Sequence, residues 1–181
     1  MARKDRSQRS RRNVPLERLR TLGDPALRAQ TREITEFDER LKKLADTMLG
    51  VMHREDGVGL AAPQIGVLSR IMVWRDPEDD EAEFVFVNPH VVWQSEECET
   101  AGEGCLSLPE CTIEVERPCR VKVHALDVDG TPIEFEGEGL VARIVQHETD
   151  HLDGKLILDR ATPEERRRVM KELRERALDE L

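Results

Sequence analysis

The pattern His-Glu-x-x-His occurs once, at residues 147–151, and constrains this chain more than any other feature. Apolar residues recur at helical spacing through residues 140–152, which predicts a helix there. On a helix, His147 and His151 lie one turn apart on the same side and can bind one divalent metal ion. Glu148 then lies beside them, within reach of a water molecule that the metal activates.

The helix pattern also predicts the surroundings of the two histidines. The apolar residues share one broad arc with both histidines, so the imidazoles should face the core, where an unpartnered ring is costly. The other side should be mostly polar and comprises Arg143, Gln146, Thr149, Asp150 and Asp153. The alternative is a pair of hydrogen-bonded core histidines that happen to be four residues apart. The intervening glutamate favours the metal site.

Charge is distributed unevenly along the 181 residues. The net charge is −10, but residues 1–12 carry a balance of +5, which leaves −15 for the remainder. The body of the chain should therefore not bind phosphate backbones, and no specific DNA partner is predicted. We expect residues 1–13 to form a basic, flexible arm, with a short organellar targeting segment as the alternative.

Cysteine spacing and hydropathy indicate the cellular environment. The four cysteines, Cys98, Cys105, Cys111 and Cys119, form no Cys-x-x-Cys pair, so neither a zinc ribbon nor a redox motif is indicated. No apolar run is long enough to cross a membrane, and the N-terminus lacks the hydrophobic region of a secretory signal. We expect a cytoplasmic protein in a reducing compartment, without a membrane partner.

The middle of the chain is rich in β-branched residues and predicts strands at 71–74, 84–87, 90–93, 113–115, 121–125 and 133–135. Residues 76–83 should form an acidic loop. Helices are expected at 35–53, capped by Thr35, and after Thr162-Pro163. This order predicts an α+β fold with mostly antiparallel sheets packed around the central metal-binding helix, between an N-terminal and a C-terminal helix. Residues 14–160 should form the catalytic domain and 161–181 the C-terminal helix.

A third ligand for a metal is available in the β-rich region. A metal held by two histidines needs another protein ligand if one coordination position is to stay open for water. Cys105 can supply a thiolate, and Gly104 before it lets the backbone approach closely. A small buried thiol without a metal is the alternative. The other three cysteines are interpreted as structural or surface thiols.

Three stretches taken together resemble the peptide deformylase family, in its bacterial type: GVGLAAPQ at residues 57–64, EGCLS at 103–107 and QHETDHLDG at 146–154. The resemblance covers about residues 16–160. It implies an enzyme that removes the formyl group from the N-terminal formylmethionine of newly made polypeptides. It also implies that Cys105, His147 and His151 hold one divalent ion, Fe²⁺ in the cell, with Zn²⁺, Ni²⁺ and Co²⁺ as chemical alternatives.

The resemblance further implies the catalytic roles. Glu148 would be the general base that takes a proton from water and delivers it to the departing amine. The side-chain amide of Gln64 and the backbone N–H of Leu106 would stabilise the oxyanion.

Substrate-binding residues are expected on both sides of the site. Val58 and Ile144 are candidates for an apolar pocket that accepts the methionine side chain, and the backbone around Gly59 should pair with the peptide like an added strand. Glu103 should hold the cysteine loop and contact Arg143 or His147, while Arg143 should lie at the pocket rim. The complete expected set is Gly57, Val58, Gly59, Leu60, Glu103, Gly104, Arg143 and Ile144.

Two other functions use similar residues. A zinc metallopeptidase also carries His-Glu-x-x-His but takes its third ligand from a downstream segment, and no histidine follows His151. A non-catalytic metal-binding module would need a fourth protein ligand, which is not evident. The C-terminal helix either packs on the domain or docks on the ribosome near the exit of the nascent chain.

Overall fold

The computed structural model describes residues 18–179. The predicted basic arm, residues 1–13, lies outside the described residues. The helices are α1 (Glu39–Arg54), α2 (Gly139–Leu152), α3 (Ile157–Arg160) and α4 (Pro163–Asp179), with 3₁₀ helices at Pro25–Arg28 and Ala62–Ile65. The strands are β1 (Gly59–Ala61), β2 (Ile71–Asp76), β3 (Asp79–Gln94), β4 (Cys98–Cys105), β5 (Leu108–Pro118), β6 (Arg120–Leu126) and β7 (Pro132–Glu138).

The strands form two antiparallel sheets, which confirms the predicted α+β class. One sheet has five strands in the order β1-β2-β3-β6-β7, and the other is the β4–β5 hairpin. Among residues 18–179, no helix is long and apolar enough to cross a membrane.

The five-stranded sheet separates two parts of the core. Along β2, Ile71 and Val73 pack in the cluster that contains α1, whereas Met72 and Trp74 pack in the cluster that contains α2. Successive side chains of a strand point to opposite faces, so α1 and α2 cover opposite faces of the sheet. A third cluster joins the β4–β5 hairpin to α3 and α4.

Strand β3 is longer than the sequence predicts. The predicted strands at 84–87 and 90–93 are parts of one strand, and the register shifts between Val87 and His90. Asn88 between them has a φ of 51°, and the strand continues beyond it as is usual at a bulge. The acidic loop was also predicted wrongly, because β3 already begins at Asp79, and Asp79 and Glu83 pair with β2.

Helix α1 begins later than predicted. Asp38, not Thr35, is its N-cap, because the Asp38 carboxylate accepts hydrogen bonds from the backbone N–H groups of Arg40 and Leu41. These are two of the donors that the first turn of a helix leaves unpaired.

Helix α2 is buried on both sides, which corrects the predicted polar face. Arg143, Gln146, Thr149 and Asp150 are all buried, whereas Leu140 from the expected apolar arc is 57% exposed. Periodicity suggested a solvated face because it records polarity but not pairing. These polar groups have partners inside the protein. Arg143 and Asp150 form buried ion pairs, and Gln146 and Thr149 donate to backbone carbonyls.

Candidate active site

Helix α2 places the two histidines as its spacing predicts. The rings of His147 and His151 lie edge to face with their centroids 5.0 Å apart, and both side chains are buried. Burial lowers the pKa of His151 well below its usual range, and the neighbouring His147 lowers it further. His151 is therefore neutral, as an imidazole must be to bind a metal.

Cys105 reaches the same point from the end of β4. Its Sγ lies 3.2 Å from Nε2 of His151, and one ligand atom from each of Cys105, His147 and His151 lies within 4.8 Å of the other two. Within residues 18–179, this is the one group of three or more histidine, cysteine or acidic side chains close enough to hold a metal ion.

The donor set fits a divalent metal. His147 donates from Nδ1 to Glu103 at 2.9 Å, which leaves its Nε2 lone pair for the cluster. Burial alone would lower the pKa of His147, but hydrogen bonds with Cys105 and Glu103 raise it well above the usual range. The contacts with Cys105 and Glu103 favour a positive charge at His147, and a divalent cation would take the place of the proton on Nε2. A thiolate with two imidazoles suits a borderline-soft cation.

Glu148 lies next to this cluster and is buried. Burial raises the pKa of Glu148 to about 7. Its Oε2 has no hydrogen-bond partner among the described residues, so this oxygen can accept a proton. Gly59 makes room for this side chain, since a Cβ there would lie 2.9 Å from both Cγ and Cδ of Glu148.

Glu103 hydrogen-bonds to His147 from outside the ligand cluster, and Arg117, the partner that donates to Glu103 twice, was not identified from the sequence. Arg117 donates twice to the Glu103 carboxylate, at 2.6 and 2.9 Å, and Arg143 donates at 2.8 Å. The expected contacts of Glu103 with His147 and with Arg143 are therefore both present. One signal for Arg117 was available: it follows Ile113 and Val115 at the inward positions of β5, where an arginine needs a buried partner.

Gln64 is fixed so that its amide points to the thiol. Its Oε1 accepts a hydrogen bond from the backbone N–H of Ala61 at 2.8 Å. Its Nε2 therefore faces Ser107 Oγ at 3.3 Å and Cys105 Sγ at 3.9 Å. Leu106 follows Cys105 in the turn before β5.

A cavity of about 690 Å³ opens in front of these groups. Seven of the eight expected substrate-binding residues line it, together with Gln64, Cys105, Leu106, His147 and Glu148. Leu60 does not, because its side chain is fully buried in the core cluster with α1. Arg143 lines the cavity, but its guanidinium turns inward to Glu103 and to the carbonyls of Val115 and Glu99. Arg143 thus lies at the cavity as expected, but its charge is directed away from the space that a substrate would occupy.

The position of the third possible ligand in the sequence tests the metallopeptidase alternative. It comes from upstream, as Cys105, and among residues 18–179 no fourth histidine, cysteine or acidic ligand joins the group. A downstream third ligand of the metallopeptidase kind is therefore not supported.

Known proteins are similar to this chain over most of its length. A family model described as polypeptide deformylase matches residues 16–167. The peptide deformylase of Thermotoga neapolitana is 45% identical over 86% of this chain and 93% of its own length. That of Mesorhizobium japonicum is 42% identical over 92% of this chain and 96% of its own.

Solved structures agree with these relatives. The crystal structure of a peptide deformylase from Legionella pneumophila superposes with a TM-score of 0.84 at 38% identity, over 91% of this chain and 97% of that one. The enzyme from Thermotoga maritima gives 0.78 at 44% identity, over 82% of this chain and 99% of that one. The match thus extends across the α2 histidines, the Cys105 loop and both sheets, and the chain belongs to the polypeptide deformylase family.

Proposed function

We propose that Cys105, His147 and His151 hold the catalytic metal of this enzyme and that Glu148 is its general base. As a peptide deformylase, the chain is a metal-dependent hydrolase that removes the N-formyl group from nascent polypeptides. The observation that carries the assignment is the convergence of three buried ligand atoms within 4.8 Å beside a carboxylate oxygen that has no partner.

The protein side chains move the proton. When bound, a divalent metal acts as a Lewis acid that makes hydroxide available near neutral pH. Glu148 accepts the proton from water as the formyl carbon is attacked, and then donates it to the departing amine. A base works best when its pKa lies near the working pH, and burial brings the pKa of Glu148 to about 7.

Two donors would stabilise the oxyanion that develops on the formyl oxygen. The Nε2 of Gln64 is directed toward Cys105 because Ala61 fixes the other end of the amide. The backbone N–H of Leu106, next to Cys105 in sequence, is the proposed second donor. Losing one donor of this kind typically reduces turnover by about 10²–10³-fold.

The peptide would lie along the free edge of β1. β1 is the first strand of its sheet and pairs only with β2 among the described strands, so one row of its backbone groups can pair with substrate. Val58 and Ile144 provide an apolar cavity wall for the methionine side chain. Gly57, Gly59 and Gly104 let the peptide backbone approach. Leu60 is not proposed to contact the peptide, because it pairs with Val73 of β2 and its side chain packs in the core.

We propose Fe²⁺ as the native ion, with Zn²⁺, Ni²⁺ or Co²⁺ as functional replacements. A thiolate beside two imidazoles accepts all four ions, so the ligands alone do not discriminate among them. Metal analysis of protein purified without oxygen tests this, and a stoichiometric zinc content with no iron would contradict it.

The role of Glu148 is tested by Glu148→Gln. We expect this variant to bind the metal at the parental stoichiometry and to lose about 10²–10⁴-fold in formate release from a formyl-Met peptide. An unformylated peptide of the same sequence should remain intact with the parental enzyme. Normal turnover by the variant would show that another group is the base.

We also propose that the enzyme works in the cytoplasm and contacts the ribosome, because its substrate is a nascent chain. Helix α4 packs through Val169, while Met170 and Leu178 remain 48% and 62% exposed. The double substitution Met170→Glu/Leu178→Glu should reduce cosedimentation with ribosomes and leave deformylation of a free peptide unchanged. Undiminished cosedimentation would exclude this face of α4 as the contact.

A further inference from the structure

Arg160, the last residue of α3, reaches from the surface to a buried carboxylate. Its side chain is 44% exposed, whereas the Asp150 side chain is 8% exposed. Arg160 donates from Nε to Oδ2 of Asp150 at 3.0 Å and from a terminal nitrogen to Oδ1 at 2.5 Å. Both oxygens of the carboxylate are thus held by one guanidinium, and paired contacts of this kind restrict orientation as well as position.

Asp150 is also the first link of a buried chain of ion pairs. Its Oδ2 accepts a hydrogen bond from Arg117 at 2.9 Å. Arg117 uses its other donors on both oxygens of Glu103, and Glu103 accepts from Nδ1 of His147. The side chains of Arg117, Glu103 and Asp150 are at most 8% exposed, so water competes little for these contacts.

We infer that Arg160 is a positioning residue for His147, acting through Asp150, Arg117 and Glu103. The inference rests on the proposed role of His147 as a metal ligand. It assigns a function in metal retention to a surface residue that contributes no atom to the active-site cavity.

Removal of Arg160 should loosen each link in turn. Another cavity, of about 200 Å³, is lined by Asp150, Arg117 and Arg160 among others and shares no lining residue with the active-site cavity. Without Arg160, the Asp150 carboxylate can turn toward water in this cavity, because a buried charge that loses a partner seeks solvation. Arg117 then loses one of the two carboxylates with which it pairs. Its guanidinium can turn more freely, so it fixes the orientation of the Glu103 carboxylate less firmly. Glu103 hydrogen-bonds to the ring nitrogen of His147 that does not face the metal site, and a partner in that position sets the ring orientation of a histidine ligand.

The competing explanation is that Arg160 only fastens α3 to the protein. Arg28 provides a matched control, because it forms an ion pair with Asp159 in the same helix and its side chain is 46% exposed. Arg28→Ala removes an α3 ion pair of similar exposure but leaves the chain of contacts to His147 intact.

The experiment compares Co²⁺-loaded parent, Arg160→Ala, Arg160→Lys and Arg28→Ala. We expect Arg160→Ala to release Co²⁺ to a chelator on the order of threefold to tenfold faster than the parent, somewhat below the usual effect of a direct outer partner. Its visible Co²⁺ absorption should shift, because the ligand geometry changes. Arg160→Lys should release Co²⁺ at an intermediate rate. Arg28→Ala should match the parent in both release rate and spectrum, even if its melting temperature is similar to that of Arg160→Ala.

A double-mutant cycle tests whether the effect of Arg160 on the metal site passes through Glu103. In a Glu103→Gln background, the further change Arg160→Ala should have little additional effect on Co²⁺ release, since the link to His147 is already weakened. Equal release rates and spectra for Arg160→Ala and Arg28→Ala would overturn the inference and leave the ligand assignment standing. A full additional effect in the Glu103→Gln background would also overturn it. A parent that binds no Co²⁺ would overturn both the inference and the ligand assignment.

Discussion

At the scale of single residues, Glu103 shows how one carboxylate organises a site. It accepts hydrogen bonds from Arg117, Arg143 and His147. Burial alone would raise the pKa of Glu103, but the bonds from His147 and Arg117 outweigh burial and lower it to about 2. Glu103 therefore stays ionised throughout the neutral range and can orient His147 at any pH at which the enzyme works.

Gly59 gives a prediction at the same scale. A methyl group there would meet the Glu148 carboxylate, which is the movable end of a side chain and not backbone. We expect Gly59→Ala to displace the proposed base and lower kcat by about 10²-fold, since displacements near 1 Å have effects of that size. Metal content and melting temperature should change little. Parental kcat in a correctly folded variant would mean that Glu148 tolerates the shift.

At the scale of elements, α4 is fastened to β5 mostly by polar contacts. Glu165 accepts a hydrogen bond from the backbone N–H of Glu114, and Arg168 donates to the carbonyl of Thr112. Hydrogen bonds from Arg168 and from Glu114 lower the pKa of Glu165 from 4.5 to about 2. Val169 adds the buried apolar contact.

This arrangement predicts a pH dependence of stability. Because folding lowers the pKa of Glu165, its stabilisation is fully present above pH 4.5 and is lost as the pH falls toward 2. The melting temperature of chelator-treated Glu165→Gln should therefore lie below that of the parent at pH 6, and the difference should shrink at pH 3.5. Glu164→Gln is the control, since Glu164 pairs with Arg167 in solvent and should matter little at either pH. A difference that is the same at both pH values would contradict the assignment.

At the scale of the whole molecule, the candidate metal site joins two parts of the fold, one built on the five-stranded sheet and the other on the β4–β5 hairpin. His147 and His151 belong to α2, which packs on the five-stranded sheet, whereas Cys105 belongs to the β4–β5 hairpin. A bound ion would therefore cross-link the two halves of the fold in addition to serving catalysis.

Removing the metal should consequently destabilise the protein. At a free metal concentration about 1,000-fold above Kd, binding adds about 4 kcal/mol to the folded state. For a chain of this size that corresponds to a fall in melting temperature of about 10 °C after chelation. Cys105→Ser should show a much smaller chelator-dependent change. Equal shifts in the parent and in Cys105→Ser would argue against the thiolate as a ligand.

The sequence by itself determined the candidate ligands, the neighbouring glutamate, the fold class and the family. These could be predicted because a helix places residues four apart on one side, and because the cysteine and glycine motifs are local in the chain. The prediction for α2 was wrong where polarity was taken as a sign of exposure, since Arg143 and Asp150 are buried.

Only the tertiary structure decided how those polar residues are paired. Arg117 lies 33 positions from Asp150, and Arg160 belongs to a different helix, so no local pattern links them. Burying a charge is favourable only when partners arrive from elsewhere in the chain, and their arrival depends on the packing of β5, α2 and α3 together. The same dependence explains the length of β3, which is set by its pairing with β2 and β6.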